Sequence, residues 1–230
     1  MHRLAAAAVV LAVAVAVGLF FVLRSGSKST EATAPTHVRA TLAADVLPRP
    51  GVHRYTQSGY EEAKVGPLTI HRAFPRQAVL VVSGTGAVVQ EEWRFSKQHL
   101  EATRERVTSS GRWTVWQRTR ITMVITQDEA HAARPVTLSR PNRLRVGQRW
   151  VQDYTVGGVH SVSRNRVKGR CGADCFVLVA DSTVSGAHPG TERDLTWESE
   201  TTGLTVRETI DRRIGGSFPY RMHVELRLIR

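Results

Sequence analysis

Cysteine is nearly missing from this chain: Cys171 and Cys175 are the only two in 230 residues. That count excludes a multi-disulfide scaffold, and a zinc site would need two more ligands. The three-residue gap is wrong for a C-x-x-C redox pair. Strand-like runs flank the cysteines, so they read as a disulfide closing a tight loop outside the cytoplasm. Lysine is scarce as well. Only Lys28, Lys64, Lys97 and Lys168 stand among 32 basic residues, and no block of five or six like charges occurs. The basic charge is therefore scattered over strands and not gathered in a tail. Such an arginine skew is also what a GC-rich genome produces without selection for binding.

Catalytic signatures are missing too. There is no G-x-S-x-G elbow, no H-E-x-x-H and no phosphate-binding loop. Gly84-Thr85-Gly86 lacks the third glycine of a dinucleotide loop and reads as a turn. The nine histidines are dispersed. Glu129 and His131 fall in Gln127–Arg134, whose composition reads as a solvated loop. Glu91 and Glu92 are adjacent in a strand and point to opposite faces. Glu198 and Glu200 share a face at i, i+2 beside Trp197. With Asp194 they are the best carboxylates for a glycan-acting hydrolase or transferase. No metal and no cofactor is expected.

What the chain does have is a run without charge or proline, Leu4–Leu23 (LAAAAVVLAVAVAVGLFFVL). As a helix it would be about 30 Å long, the thickness of a bilayer core. It reads as an uncleaved signal-anchor. The alternative is a cleaved signal, with Ala32-Thr33-Ala34 as its site, although Pro35 makes a poor start for a mature chain. Positive-inside asymmetry hardly discriminates, since Arg3 precedes the run and Arg24 and Lys28 follow it. A three-residue flank against about 200 following residues favours a cytoplasmic N-terminus and an exported domain, in a plasma-membrane protein.

The expected organisation is residues 1–3 as flank, 4–23 as the transmembrane helix, and 24–50 as a tether. A short helix is expected within the tether, at His37–Leu47. Residues 51–230 then form one β domain. Beyond residue 34 the chain holds 29 basic residues against 19 acidic. That balance favours a lipid surface or an anionic envelope polymer, and the expected compartment argues against nucleic acid.

From Gly51 onward apolar residues alternate at period two, with turn signals every 8–14 residues. The pattern predicts a mainly β fold: one curved antiparallel meander, closing as a half-barrel or barrel. The segment Arg112–Thr126 is expected as one long strand with Trp113, Val115, Ile121, Met123 and Ile125 on a single face. His99–Thr108 is mostly polar and reads as an edge strand or short helix. The last strand is the clearest. Phe218, Tyr220, Met222, Val224, Leu226 and Leu228 alternate with Arg221, His223, Glu225 and Arg227, which means one dry face and one wet face.

Trp93, Trp113, Trp150 and Trp197 lie on apolar faces and are expected in the core. Trp116 differs, because it shares its face with Arg118 and Arg120. A tryptophan between arginines can stack on a ring or enter a headgroup layer. The candidate binding residues are thus Trp116, Arg118 and Arg120 on a charged face, with Met123, Tyr220 and Met222 on an apolar one.

Two stretches carry a family resemblance. Leu144-Arg-Val-Gly-Gln-Arg-Trp150 and Trp197-Glu-Ser-Glu-Thr-Thr-Gly-Leu-Thr-Val-Arg-Glu208 resemble paired motifs of uncharacterised membrane-anchored envelope proteins of high-GC Gram-positive bacteria. The resemblance covers about Pro135–Arg230. It implies an open half-barrel similar to the lipoprotein-carrier domains, which hold acyl chains in a concave face. No binding residue transfers, because the matching residues are turn and core positions. Residues and resemblance together lead to a non-catalytic, membrane-anchored domain that binds a lipid, an anionic polymer or an envelope protein. A purely structural or sensor subunit is the remaining alternative.

Overall fold

A computed structural model describes residues 47–85, 87–186 and 188–229. The expected anchor at Leu4–Leu23, and the expected tether and helix as far as Val46, lie outside the described residues. Thirteen antiparallel strands follow. They are β1 (Gly51–Val65), β2 (Leu68–Ala73), β3 (Gln77–Thr85), β4 (Val88–Ser96), β5 (His99–Val107), β6 (Gly111–Thr122) and β7 (Thr126–Pro141), then β8 (Arg149–Val156), β9 (Val159–Arg170), β10 (Cys175–Gly186), β11 (Gly190–Ser199), β12 (Thr205–Ile214) and β13 (Tyr220–Leu228).

Apart from β2 and β3, which both pair with β1, neighbours in sequence are neighbours in the sheet, and β13 returns to pair with β1. The sheet is thus a closed barrel of twelve strands, not a half-barrel. Closure removes the free edges that an open twelve-stranded sheet would carry, while β2 pairs only with β1. The thirteenth strand is accommodated by splitting one edge of β1. Its first half, Gly51–Thr56, pairs with β3, and its second half, Tyr60–Val65, pairs with β2. Gly59 sits at the changeover with φ of +127°, and a Cβ there would lie 2.0 Å from the His223 carbonyl oxygen. Only glycine fits that approach.

The dry face of the last strand points inward as expected. Tyr220, Met222, Val224 and Leu226 are buried, while Arg221, Glu225 and Arg227 are exposed. They meet Tyr55, Leu80, Val82 and Phe95 in an apolar wall formed by β13, β1, β3 and β4. Tyr55 and Trp93 pack edge to face at 4.7 Å, and Trp93 stacks on Phe95 at 5.8 Å. Trp93 is therefore core, and Trp150 is half-buried with its indole N–H on the Ser139 carbonyl.

Several expectations need correction. His99–Thr108 is neither edge nor helix but β5, paired on both sides. Gln127–Arg134 is not a loop; together with Val136–Leu138 it belongs to the 16-residue β7. The long strand ends at Thr122, leaving Ile125 exposed in the turn. Irregular pairing at Thr114–Trp116 also reverses its alternation. Consequently Trp113 lies opposite Arg106, on the outside, while Ile121 lies opposite the buried His99. A bulge inserts one residue and swaps faces beyond it. Trp197 is likewise outside, beneath the Arg207 guanidinium at 4.6 Å.

The Cys171–Cys175 disulfide is present and closes the β9–β10 hairpin, with the Cα atoms 5.0 Å apart. At the same end of the chain's order as the expected tether, residues 47–50 are strapped to the barrel. The Arg49 N–H donates to the Thr202 carbonyl at 2.9 Å, and Leu47 packs on the core.

Candidate functional site

The other wall of the barrel points charge inward. On β5 the residues facing in are His99, Glu101 and Glu105; on β11 they are Glu192, Asp194 and Glu198. Burying charge is costly unless partners are in place. Here two ionic knots supply them.

The first knot centres on Glu61 and His99, both fully buried. Glu61 accepts from Arg72, from the Tyr220 hydroxyl at 2.9 Å and from His99 Nδ1 at 3.1 Å. His99 Nε2 reaches Glu101 at 2.9 Å, and Arg212 bridges Glu101 to Glu192. Burial alone would neutralise His99, but its bonds to Glu101 and Glu61 outweigh burial and hold its pKa above the ordinary value. Burial likewise works against the charge of Glu61, yet His99 and Arg72 hold its carboxyl below the usual range. Arg212 on β12 reaches Glu101 on β5, so this knot crosses the lumen.

The second knot is built on Arg112. It pairs with Glu91 at 2.8 Å, Glu105 at 3.3 Å and Glu198 at 3.8 Å. Arg140, its cross-strand neighbour, also meets Glu198. Carboxylates outnumber cations inside. Burial, with Glu105 and Glu198 nearby, pushes Glu91 up to about 7. Burial also raises Glu208 to about 7, assisted by Glu91 and Glu192, and raises Asp194 well above its ordinary value. The lumen is therefore lined by aromatic rings on one wall and crossed by an ion pair from β12 to β5.

This arrangement decides where the candidate residues stand. Met222 and Tyr220 are interior, and Met123 packs against the same cluster from the β6–β7 turn. Trp116, Arg118 and Arg120 come together on the outer face of β6, apart from those three. Arg104 covers the Trp116 ring at 5.1 Å, and Arg118 is held by both oxygens of Asp128 at 2.8 Å. Glu198 and Glu200 do not share a face: Glu198 is buried in the lumen, while Glu200 lies in the following turn, paired with Arg170 at 2.8 Å. Asp194 does face the lumen with Glu198.

A different set of residues forms a continuous basic surface. On β9, Ser163, Asn165 and Val167 are buried, so Arg164, Arg166 and Lys168 are exposed on the outside. Exposed Arg149 of β8 stands directly across from Arg166. Like charges in that position destabilise a sheet. Among the described residues no carboxylate lies within ion-pair distance of Arg149, Arg166 or Lys168, whereas Arg170 and Arg193 have Glu200 and Asp181. The pairing shift at Val177–Leu178 then turns Arg170 to the barrel rim, over the Phe176 ring at 4.5 Å.

Beyond that rim opens a cleft of about 890 Å³, lined by Ser110, Arg140, Arg143, Arg145, Phe176 and Glu200 among others. A second cavity, of about 450 Å³, lies beneath residues 47–50 and is lined by Val82, Val88 and Thr202 as well. Sequence reasoning missed the basic surface because it sought blocks of charge. The signal was present as Arg164-Asn-Arg166-Val-Lys168-Gly-Arg170, an alternation that a strand converts into a row.

Comparison of the chain with protein-family models, curated proteins and solved structures returns no match.

Proposed function

We propose that the barrel is a non-catalytic binding domain for a linear anionic polymer, displayed outside the membrane by the N-terminal anchor. The observation that carries this reading is the exposed row Arg164, Arg166 and Lys168 with Arg149 opposite. Alternate residues on a strand stand about 6.7 Å apart. Phosphates or carboxylates recurring along an extended polymer can meet such a row one by one. Arginine suits the task, since its fork engages these oxyanions through two hydrogen bonds. Trp116 with Arg104 and Arg120 forms a lesser basic face. Asp128 and Glu92 already neutralise its neighbours Arg118 and Arg94.

The carrier reading has less support. It needs a vacant concave apolar surface, and Met222 lies at 2% exposure within packed side chains. Of the three catalytic candidates Glu200 alone lines a cleft, where it is paired with Arg170, while Asp194 and Glu198 line neither, so no two of these carboxylates converge on one opening.

The test is binding of long-chain polyphosphate and of a polyuronate to the full-length chain across a salt series. Saturable, salt-sensitive binding is expected. The double variant Arg166→Glu/Lys168→Glu should weaken it by at least about tenfold and reduce the salt slope by about 1.4, the share of two released counterions per polymer. An unchanged slope would overturn the reading. Anionic vesicles serve as the comparison, and preferential binding to them would assign the surface to a membrane instead.

A further inference from the structure

We infer that the cleft beside the basic row is a binding site for a single phosphate group, carried on a polymer end or as a free small phosphate. The inference rests on the polymer-binding reading only for the first of those sources.

Three observations lead there. First, Arg140 lines the cleft and is itself 95% buried, at 5% exposure. Its Nε has no hydrogen-bond partner among the described residues. A buried donor left unmatched is expensive, and native structures seldom keep one without a partner to come. Of its other nitrogens, Nη1 donates to the Pro141 carbonyl at 2.9 Å and Nη2 meets Glu198. Second, Arg143 and Arg145 stand exposed on the same cleft, and its one acidic lining residue, Glu200, is already paired with Arg170. Three guanidinium groups therefore border a space whose only carboxylate is occupied. Third, burial, with repulsion from Arg112, holds the Arg140 guanidinium below the ordinary arginine range despite Glu198 and Glu105, so a further negative charge nearby would favour it. An incoming dianion would meet the two exposed guanidinium groups directly and offset the buried Arg140 charge beside them.

The chemistry selects phosphate over a bare carboxylate. A tetrahedral dianion can accept from several forks at once, while a carboxylate is satisfied by one bidentate partner. The hydroxyl of Ser110 is at the cleft, though it already shares a hydrogen bond with Thr108 at 2.9 Å. Asn142 is engaged with the Thr108 and Ser109 carbonyls at 2.9 and 2.8 Å, so it shapes the wall without being free to bind. The cleft also continues the row. Arg170, at the rim, follows Lys168 by two residues and touches both Phe176 and Glu200 of the lining. A polymer lying along β9 would bring its end to this opening.

The experiment is calorimetric titration of the full-length chain with inorganic phosphate, alongside the same measurement on Arg143→Ala/Arg145→Ala and on Arg140→Lys. Saturable phosphate binding is expected. It should weaken by about tenfold or more in the exposed double variant, which removes two forks without touching the interior. Arg140→Lys keeps the charge but loses the Nε donor, and should weaken binding while thermal unfolding confirms a folded barrel. If that variant does not fold, the exposed pair decides alone. Arg54→Ala/Arg221→Ala, on the far wall, should bind phosphate as the native chain does. Absence of saturable binding to the native chain would overturn the proposal. So would equal binding by native chain and exposed double variant.

Polyphosphate with its terminal phosphates blocked separates the two sources. Weaker binding of the blocked polymer assigns the cleft to the polymer end, and equal binding assigns it to a free phosphate. Phosphate binding in a protein that fails to bind polyphosphate would sustain this site while removing the polymer reading.

Discussion

β1 and β13 lie at opposite ends of the domain, and β7 and β8 follow one another, yet the distant pair is the better joined. Nine consecutive residues of β1, Tyr55–Ala63, pair with Leu228–Tyr220. Further bonds extend the ladder at both ends, from Ile229 N–H to the Arg54 carbonyl and from Lys64 N–H to the Pro219 carbonyl, each 2.9 Å. β7 and β8 share a single paired position, Arg134 with Thr155. Side chains bridge the rest: Trp150 to the Ser139 carbonyl at 3.0 Å and the Asp153 N–H to the Thr137 hydroxyl at 3.3 Å.

The difference has a physical cause. Pro135 and Pro141 on β7 have no N–H to give to a ladder. β1 and β13 have no proline within the paired segment, and they face an apolar wall that pins register. Sequence proximity brings strands together cheaply, but it does not decide how well they join.

The comparison can be broken most severely at the closure. Gly59→Val would drive a side chain into the His223 carbonyl. A loss of about 4 kcal/mol or more is expected, enough to abolish a cooperative thermal transition; a native-like transition would mean the strands part without cost. Charged substitution at Met222 should act the same way, through the packed core.

Next comes the ionic knot beside the closure. Glu61→Gln leaves Arg72 and His99 without their shared carboxylate and should cost about 3 kcal/mol in denaturant unfolding. A change of no more than about 0.5 kcal/mol, the usual range for surface substitutions, would show that water serves these groups equally well.

The third prediction concerns pH. Glu91 and Glu208 have folded-state pKa values raised from 4.5 to about 7. The folded barrel thus holds protons that the unfolded chain releases between pH 4.5 and 7. Their contribution is complete below pH 4.5 and declines as pH rises through 7. Melting temperature should fall from pH 5 to pH 7.5, and Glu208→Gln should flatten that decline. His99, also raised, adds loss in the same direction as pH climbs above 6.5, whereas Glu61 and Glu101, both lowered, lose their contribution in acid. A melting temperature rising from pH 5 to 7.5 would contradict the burial of the two glutamates.

The smallest effect belongs to the seam. Amide hydrogens of residues 134 and 136–140 and of β8 on that side should exchange faster than those of β1 and β13. Val136→Lys, at an exposed seam position, should change stability by no more than about 0.5 kcal/mol. Equal protection at seam and closure would erase the contrast.

Much of the fold was legible because a strand's two faces usually differ in polarity. The final strand announced its inward set by alternation, and the Cys171–Cys175 hairpin announced itself by spacing. β5 was illegible for the same reason in reverse. Its inward residues are His99, Glu101 and Glu105, so polarity pointed to a solvated edge. β7 failed through Pro135 and a polar lumen-facing set. At Trp113 the alternation was read correctly but carried past a bulge. Of the candidate residues, Trp116, Arg118 and Arg120 do share one outer face, as their spacing implied, while the β9 row went unnoticed because its charges are two residues apart.

The amino-acid sequence alone determined strand content, most turn positions, the disulfide and the overall basic charge, since each depends on residues close together in the chain. Closure, the splitting of the β1 edge and the burial of carboxylates beside Arg112 and Arg212 were decided only in three dimensions. Each depends on which distant strands meet, and a charge becomes tolerable inside only once its partner from another strand has arrived.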